Sequence, residues 1–338
     1  MHIVLDAMGG DNAPDVNIDG AIAALEKKKD LVISLTGPEA LLRKKLSEKR
    51  FDADRLLVVD APQVITNDET PVMAVRKKRD SSIVVAAKMV RDSEADAFIS
   101  AGSTGAVLVA STLVIKTIKG VLRPALASLM PTTKQSVLMI DCGANVDAKP
   151  EHLLQFALMG DVYMRTVEGR KNPRVGLVNI GAESEKGNEL TKTVYPRMKE
   201  MPINFIGNVE AREVPHGEAD VVVCDAFVGN VMLKMMEGAA TAMTELLKRE
   251  LTANTFRKLC CLGLKSGFRS FKKSFDYAEY GGAPLLGLNG CVVKAHGSSN
   301  ARAIESAIGQ AIRFVDGNLV ETLRGQIEKS ADPACAES

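Results

Sequence analysis

The sequence alternates short β-rich runs with longer helical patterns from its beginning to its end. This alternation is typical of β-α-β units, in which helices connect the strands of a parallel sheet. The strand candidates are residues 3–5, 31–35, 56–59, 97–100, 137–141, 175–180, 203–206, 221–225 and 292–295. Helical patterns at 18–28 and 39–49 separate the first three of them. The sequence therefore predicts an α/β fold built on a parallel sheet.

Most of these strand candidates end in a small or acidic residue that is followed by glycine. The carboxyl ends of parallel strands line up along one edge of a sheet, where the ligands of α/β proteins usually bind. We therefore expect the glycine turns to border one cleft.

The charge balance argues against a nucleic-acid partner. Lys and Arg total 43 against 42 for Asp and Glu, so the chain has no global positive field. Trp is absent and aromatic residues make up 4%, which leaves few platforms for stacking bases. With 338 residues, 46% of them hydrophobic, the composition is that of a globular enzyme.

The spacing of the cysteines and the length of the apolar stretches limit which metal sites and membrane contacts the chain can have. The six cysteines form no C-x-x-C pair, so we predict no zinc site, no disulfide framework and no metal. A strand-like run follows Met1 directly, without the apolar segment of a signal peptide. The longest apolar stretch, 105–115, is shorter than the ~20 residues that a spanning helix needs. We expect a cytoplasmic protein whose membrane contact is peripheral.

The turn after the first strand reads DAMGGDNAP and is a candidate ligand site. Gly9 and Gly10 allow the backbone to bend tightly and approach a ligand, and Asp6 can orient donors around it. An ordinary β-α turn would look the same. The G-x-G-x-x-G order of a dinucleotide site is missing, so nicotinamide binding gains no support.

The loop SAGSTGA, at 100–106, follows a strand candidate and precedes a helical pattern. Backbone N–H groups around Ser103, Thr104 and Gly105 could cradle a phosphate. The same residues are also common N-caps. No Lys follows the glycines, which argues against a P-loop nucleotide site.

Further polar turns follow the later strands. They contain Asn145, Asn208, Asn230 and His296, each near a glycine, while Lys186 lies in a loop after residues 175–180. Together they describe a cleft rich in donors and acceptors but without an evident nucleophile. His296 is a base, a phosphate donor or a structural histidine, and Lys186 is a cleft cation or a surface charge.

Between Phe256 and Phe275 basic residues accumulate without a carboxylate. On a helical wheel at about 100° per residue, one face is apolar and the opposite face is basic. The apolar face contains Phe256, Cys260, Leu264, Phe268, Phe271 and Phe275, and the basic face contains Lys258, Lys265, Arg269, Lys272 and Lys273. This pattern indicates an interfacial helix that contacts anionic membrane, or a helix that packs on the core with a solvated charged face.

Taken in order, the motifs resemble those of the phosphate acyltransferases, which make acyl phosphate for phospholipid synthesis. They are DAMGGDNAP, SAGSTGA, DCGANVDAKPEHL, KGNELTK, NFIGNVEAR, DAFVGNV, GGAPLLGLNG and KAHGSSN, and they span nearly the whole chain. The family more often has Asn at the position of Ser103 and Gly at that of Ala226, which affects the details of donor geometry.

The resemblance implies a Rossmann-like α/β/α fold similar to isocitrate and isopropylmalate dehydrogenases and to phosphotransacetylase. It implies one catalytic domain, 1–329, with two intertwined lobes around a cleft, and a homodimer. A projecting basic amphipathic segment, 250–276, would touch membrane through Phe256, Leu264, Phe268 and Phe271. Independently of the resemblance, the polar, alanine-rich composition of the C-terminus predicts a disordered tail at 330–338.

The implied reaction moves a long-chain acyl group from acyl carrier protein to inorganic phosphate without a cofactor. Lys186 and Asn230 would be catalytic, with His296 as a supporting donor. Substrate-binding candidates are Asp6, Gly9, Gly10, Ser103, Thr104, Gly105, Asn145 and Asn208. The alternatives are a phosphotransacetylase that acts on acyl-CoA, a metal- and dinucleotide-dependent decarboxylating dehydrogenase, and a membrane-docked scaffold.

Overall fold

The computed structural model describes residues 1–258, 261, 263, 264, 267 and 281–331, with side chains as far as Lys329. The strands are β1 (His2–Asp6), β2 (Val32–Gly37), β3 (Leu56–Asp60), β4 (Ala97–Ser100), β5 (Ala125–Met130), β6 (Val137–Ile140), β7 (Arg174–Asn179), β8 (Asn204–Glu210), β9 (Val221–Val223), β10 (Ala283–Leu286) and β11 (Cys291–Lys294). The helices are α1 (Asp15–Lys27), α2 (Glu39–Ser47), α3 (Pro71–Lys77), α4 (Ser82–Arg91), α5 (Thr104–Ala110), α6 (Pro150–Thr166), α7 (Glu189–Lys199), α8 (Ala226–Leu251), α9 (Ala301–Asp316) and α10 (Leu319–Ala331). A π-helical turn follows α5 at Ser111–Ile115, and a 3-10 turn follows β8 at Ala211–His216.

These strands form one eleven-stranded sheet in the order β3-β2-β1-β4-β11-β10-β5-β6-β9-β7-β8. The strands β3, β2, β1, β4 and β11 run parallel and form a first group. A second parallel group contains β6, β9, β7 and β8. Between the groups, β10 pairs antiparallel with β11 and β5, and β5 pairs antiparallel with β6. Three antiparallel steps separate β11 from β6, so the two groups run in opposite directions.

The register of the middle strands brings the carboxyl ends of the two groups together. Lys294, at the end of β11, pairs with Ala283 of β10. Ile140, at the end of β6, pairs with Ala127 of β5. Because β10 and β5 pair with each other, each group extends away from this central ribbon. The loops that follow β11 and β6 therefore face the same region.

Both faces of the sheet are buried, which makes the fold a three-layer α/β/α sandwich. Ile3 and Leu5 of β1 pack in one apolar cluster, while Val4 between them packs in a second cluster on the opposite face. The first cluster includes side chains from α1, α2, α6, α9 and α10, and the second includes α4, α5 and part of α8. Strands covered on both sides need continuous apolar runs, as in the VLMI of β6.

All nine predicted strands form in the sheet, with ends shifted by a few residues. The sheet is mostly parallel, as predicted, but it also contains two antiparallel strands, β5 and β10, that were not predicted from the sequence. Their sequences, ALASLM and APLL, are rich in good helix formers, and the second contains Pro284. The carboxyl ends also lie on two facing edges rather than one, because the two groups run in opposite directions.

At the carboxyl end, α10 continues to Ala331, and the rest of the predicted tail lies outside the described residues. In the predicted amphipathic segment, α8 ends at Leu251 and residues 255–258 are helical. Within the described ranges, no helix has both the length and the apolarity needed to cross a bilayer.

Candidate active site

Three loops of the first strand group pack against one another at the carboxyl ends of β1, β4 and β11. The N–H of Asp11 donates to the carbonyl oxygen of Gly297 at 2.8 Å. A Cβ at Gly9 would collide with the backbone nitrogen of Gly102. Gly10 has φ +98°, a conformation that favours glycine, and a Cβ there would lie 3.0 Å from the Gly297 carbonyl oxygen. The paired glycines are thus needed for close packing between these loops.

Asp6 lies beneath these loops and is fully buried. Its carboxylate accepts hydrogen bonds from Ser100 Oγ at 2.6 Å and from the Met8 N–H at 3.1 Å. Burial raises the pKa of Asp6, and the hydrogen bond from Ser100 opposes that rise. Buried Asn17 fixes the same turn, since its Nδ2 donates to the Ala7 and Gly9 carbonyl oxygens at 2.9 and 2.8 Å. Asp6 therefore holds the loops in position from below.

In the second group, Asp141 organises the loop that follows β6. Its Oδ1 accepts from the N–H groups of Leu126, Gly143 and Ala144 at 3.0 to 3.1 Å. Its Oδ2 accepts from the N–H and Nδ2 of Asn145 at 2.8 and 2.7 Å. The Asn145 carbonyl oxygen then accepts the N–H of Ala226, the first residue of α8, at 3.0 Å. Asn145 thus positions the start of the helix that carries Asn230.

A cavity of about 1290 Å³ opens between the two groups of loops. One end carries Lys234 and His296, β5 contributes mostly apolar side chains to the wall, and α8 contributes both apolar and polar side chains. The polar lining includes Thr104, Asn230, Lys234, Glu237, Lys294 and His296. The apolar lining includes Leu126, Leu129, Met130, Leu233, Met236 and Ala240. The cavity can therefore accept a ligand with one anionic part and one hydrocarbon part.

The polar end of the cavity carries a cationic cluster formed by Lys234, Lys294 and His296. Lys234 Nζ lies 3.3 Å from His296 Nε2 and donates to Glu237 at 2.8 Å. Burial, together with the charge of Lys234, lowers the pKa of Lys294 to about 8, although the carboxylates of Asp6 and Asp11 oppose the change. The pKa of His296 is also lowered, first by partial burial and then by Lys234. The cluster joins a strand end of the first group to a helix of the second.

The comparisons with known proteins cover almost the whole chain. A family model described as "Fatty acid synthesis protein" matches residues 1–322. A phosphate acyltransferase of Alkaliphilus oremlandii is 50% identical over 332 residues, which cover 98% of this chain and 99% of the relative. That of Clostridium novyi is 49% identical over 329 residues, covering 97% and 99%.

The chain belongs to the phosphate acyltransferase family.

Solved structures that resemble this family member have low sequence identity and show the fold alone. A phosphotransacetylase from Streptococcus pyogenes has a TM-score of 0.62 at 18% identity, covering 95% of this chain and 94% of the other. A 4-hydroxythreonine-4-phosphate dehydrogenase from Klebsiella pneumoniae has a TM-score of 0.51 at 15% identity, covering 96% and 99%. These matches confirm the predicted Rossmann-like α/β fold and its similarity to phosphotransacetylase.

Of the three predicted catalytic residues, Asn230 and His296 both line the cavity. Thr104 lines the same cavity, while its neighbours Ser103 and Gly105 are half-buried beside it. Asp6, Gly9, Gly10 and Asn145 support the loops and do not line the cavity.

Two predicted site residues lie elsewhere. Lys186 is exposed on the loop after β7 and does not line the cavity. Asn208 is buried in β8, and its Nδ2 donates to the Glu183 carbonyl oxygen of the Lys186 loop at 2.7 Å. Asn179 holds that loop too, because its Nδ2 donates to the Lys186 carbonyl oxygen at 3.0 Å. Asn208 therefore contacts the Lys186 loop rather than the cavity.

Two of the predicted membrane-contact side chains are described, and both are exposed. Phe256 is 75% exposed and Leu264 is 58% exposed. Phe268 and Phe271 lie outside the described residues.

Neither lysine of the cationic cluster was predicted from the sequence as a site residue. Lys294 ends the apolar run CVVK and precedes the AHGSS turn. A lysine that ends a buried strand is a detectable signal, because long charged side chains are rarely buried without a partner. Lys234 lies on a helix and looks like an ordinary surface charge. In the described part of the chain, no three His, Cys, Asp or Glu side chains are grouped so as to hold a metal ion.

Proposed function

We propose that this chain transfers a long-chain fatty acyl group from acyl carrier protein to inorganic phosphate, giving acyl phosphate for phosphatidic acid and phospholipid synthesis. The observation that carries the proposal is the cavity, which combines a cationic end with an apolar wall. The names of the relatives at 49 to 50% identity support the same reaction.

The proposed reaction depends more on positioning phosphate and the thioester than on activating either of them. A phosphate oxygen attacks the thioester carbonyl carbon, and the tetrahedral oxyanion collapses as the C–S bond breaks. The sulfur leaves with the electron pair of that bond and takes a proton from solvent. Holding two substrates together and stabilising the oxyanion can supply most of the rate enhancement.

An acyl-enzyme on cysteine gains no support from the cavity. Cys142 lines it, but burial raises the pKa of its thiol well above the ordinary value. The thiol donates to the Leu126 carbonyl oxygen at 3.1 Å. A thiol that stays protonated is a poor nucleophile, which favours direct attack by phosphate.

Three residues have proposed roles at the polar end. Asn230 donates to the developing oxyanion, the backbone of residues 103–105 contacts phosphate, and His296 is a supporting donor. Their shared cavity supports these roles for Asn230, His296 and Thr104. Lys186 would supply positive charge, and this role rests on the family resemblance because its side chain lies on an exposed loop.

The acyl chain would lie along the apolar wall. Leu129 and Met130 of β5 and Met236 and Ala240 of α8 all contribute to the cavity lining. Ala240 is ten residues beyond Asn230, so it lies about 15 Å further along the helix axis. An extended octanoyl chain is about 10 Å long and a palmitoyl chain about 20 Å, so only the longer chain passes Ala240.

We further propose a homodimer and peripheral contact with anionic membrane. The exposed apolar side chains of α8 that do not line the cavity, Met235, Met243, Leu246 and Leu247, suit a face buried by a second copy. Exposed Phe256 and Leu264, next to Arg257 and Lys258, suit insertion into an anionic surface.

The proposed function is tested by incubating the purified protein with palmitoyl carrier protein and phosphate, without added metal. Mass spectrometry should detect palmitoyl phosphate and free carrier. A parallel reaction with palmitoyl-CoA tests the alternative donor. If acyl phosphate forms only from acyl-CoA, the donor assignment is wrong, and if it forms from neither donor, the proposed function is wrong.

A further inference from the structure

The two lysines of the cationic cluster lie where the two strand groups meet. Lys294 is 8% exposed at the end of β11, and its ammonium donates to the Ala295 carbonyl oxygen. Among the described residues, no carboxylate oxygen lies within ion-pair distance, 4.0 Å, of Lys294 Nζ. Lys234 reaches the same region from α8 and pairs with Glu237 at the cavity wall.

This arrangement leaves a buried cation incompletely compensated. An ammonium has three protons to donate, and a buried charge is costly unless it is paired and hydrogen-bonded. The carboxylates of Asp6 and Asp11 influence Lys294 from a greater distance, and Lys234 opposes its charge. An anion held by both lysines would reduce their repulsion and satisfy their remaining donors.

We propose that Lys294 and Lys234 bind the inorganic phosphate that attacks the thioester. The inference rests on the proposed function and assigns the phosphate subsite to two residues that the sequence did not indicate. Phosphate would lie next to Thr104 and His296, and Asn230, four residues before Lys234 on α8, would contact the acyl carbonyl. Asp11 and Glu237 would act as counter-ions in the free enzyme, and Glu237 would release Lys234 when phosphate enters.

The same chemistry could recognise the phosphodiester of the carrier's pantetheine arm. The two sources of phosphate make different kinetic predictions. A subsite for inorganic phosphate affects the KM for phosphate, whereas a subsite for the carrier affects the KM for acyl carrier protein.

The experiment compares Lys294→Met and Lys234→Met with Lys171→Met, which removes an exposed lysine from the loop before β7. Phosphate binding is measured without acyl donor, as the rise in Tm that inorganic phosphate causes. The KM for phosphate and the KM for palmitoyl carrier protein are then measured separately. Each cavity variant should raise the phosphate KM about 10- to 100-fold, as expected for a lost hydrogen bond to a charged group.

The cavity variants should also lose the phosphate-induced rise in Tm, while the carrier KM and the Lys171→Met control stay at wild-type values. Wild-type phosphate binding in both cavity variants would overturn the proposal, as would a rise in the carrier KM alone. If Lys294→Met fails to fold, phosphate binding by Lys234→Met decides whether the proposal stands. The Lys234 side chain is 51% exposed, so its replacement should not disturb folding. The Tm measurement needs no turnover, so it separates failure of this inference from failure of the proposed function.

Discussion

Replacing Lys294 with Met should make the stability of the ligand-free protein less dependent on pH. Burial lowers the pKa of Lys294 from 10.5 to about 8 in the folded chain. The unfolded chain therefore binds more protons than the folded chain between about pH 8 and pH 10.5. The wild-type free energy of unfolding should therefore increase as pH rises through this window. The added stability should be lost again as pH falls through about 8.

The size of this contribution follows from the two pKa values. Each pKa unit corresponds to about 1.4 kcal/mol, so the lowering is worth about 3 kcal/mol. Lys294 is 8% exposed, so solvent screens the effect little. Met fills a similar volume and does not titrate, so the variant should lack this contribution at every pH.

The assay is urea unfolding of wild type, Lys294→Met and Lys171→Met at several pH values from 7 to 10.5, in buffer without phosphate. Other lysines and tyrosines titrate in all three proteins, so the informative quantity is the difference between each variant and wild type. For Lys294→Met, the stability relative to wild type should be about 3 kcal/mol higher at pH 7 than at pH 10.5. Parallel pH curves for all three proteins would refute the claim that Lys294 is a buried, poorly compensated cation.

Four other predictions test the proposed roles. Lys186→Ala and Asn230→Ala should each lower kcat about 10²-fold or more at unchanged Tm, and wild-type turnover in both would exclude the catalytic assignment. Activity should survive EDTA, and a loss that magnesium restores would favour a metal-dependent reaction. Ala240→Phe should raise the KM for palmitoyl carrier protein about tenfold more than for the octanoyl form, because an added ring overpacks the wall that only the longer chain reaches. Equal effects on both chains would place the acyl group elsewhere. Replacing Phe256 and Leu264 with Glu should reduce co-sedimentation with anionic liposomes, and wild-type binding should weaken with salt. Undiminished binding by the variant would locate membrane contact on another surface.

The sequence predicted the strands well because most of them are buried on both faces and are therefore continuous apolar runs. It did not predict β5 and β10, since Ala, Leu and Met favour helices and Pro284 interrupts the second strand. These two strands reverse one group relative to the other, so missing them also meant missing how the carboxyl ends converge.

The candidate site was predicted unevenly for a related reason. Asn230, Thr104 and His296 were found because they lie near glycine turns after strands, and the cavity brings them together. Lys234 carries no such local signal, since a lysine on a helix looks like a surface charge in sequence. The ribbon of β10 and β5, which joins the two groups, brings the ammonium of Lys234 to 3.3 Å from His296 Nε2.

The reversal of the strand groups also explains why polar glycine turns occur along the whole chain. A cleft at the edge of one parallel sheet would draw its loops from neighbouring strands of that sheet. Here the first group supplies Thr104, Lys294 and His296, and the second supplies Asn230 and Lys234. The proposed reaction has two substrates, and the register of β10 and β5 sets the distance between the lysine at the end of β11 and the donors on α8. The antiparallel ribbon therefore has a functional consequence, because a shift in its register would separate the proposed phosphate subsite from the proposed oxyanion donor.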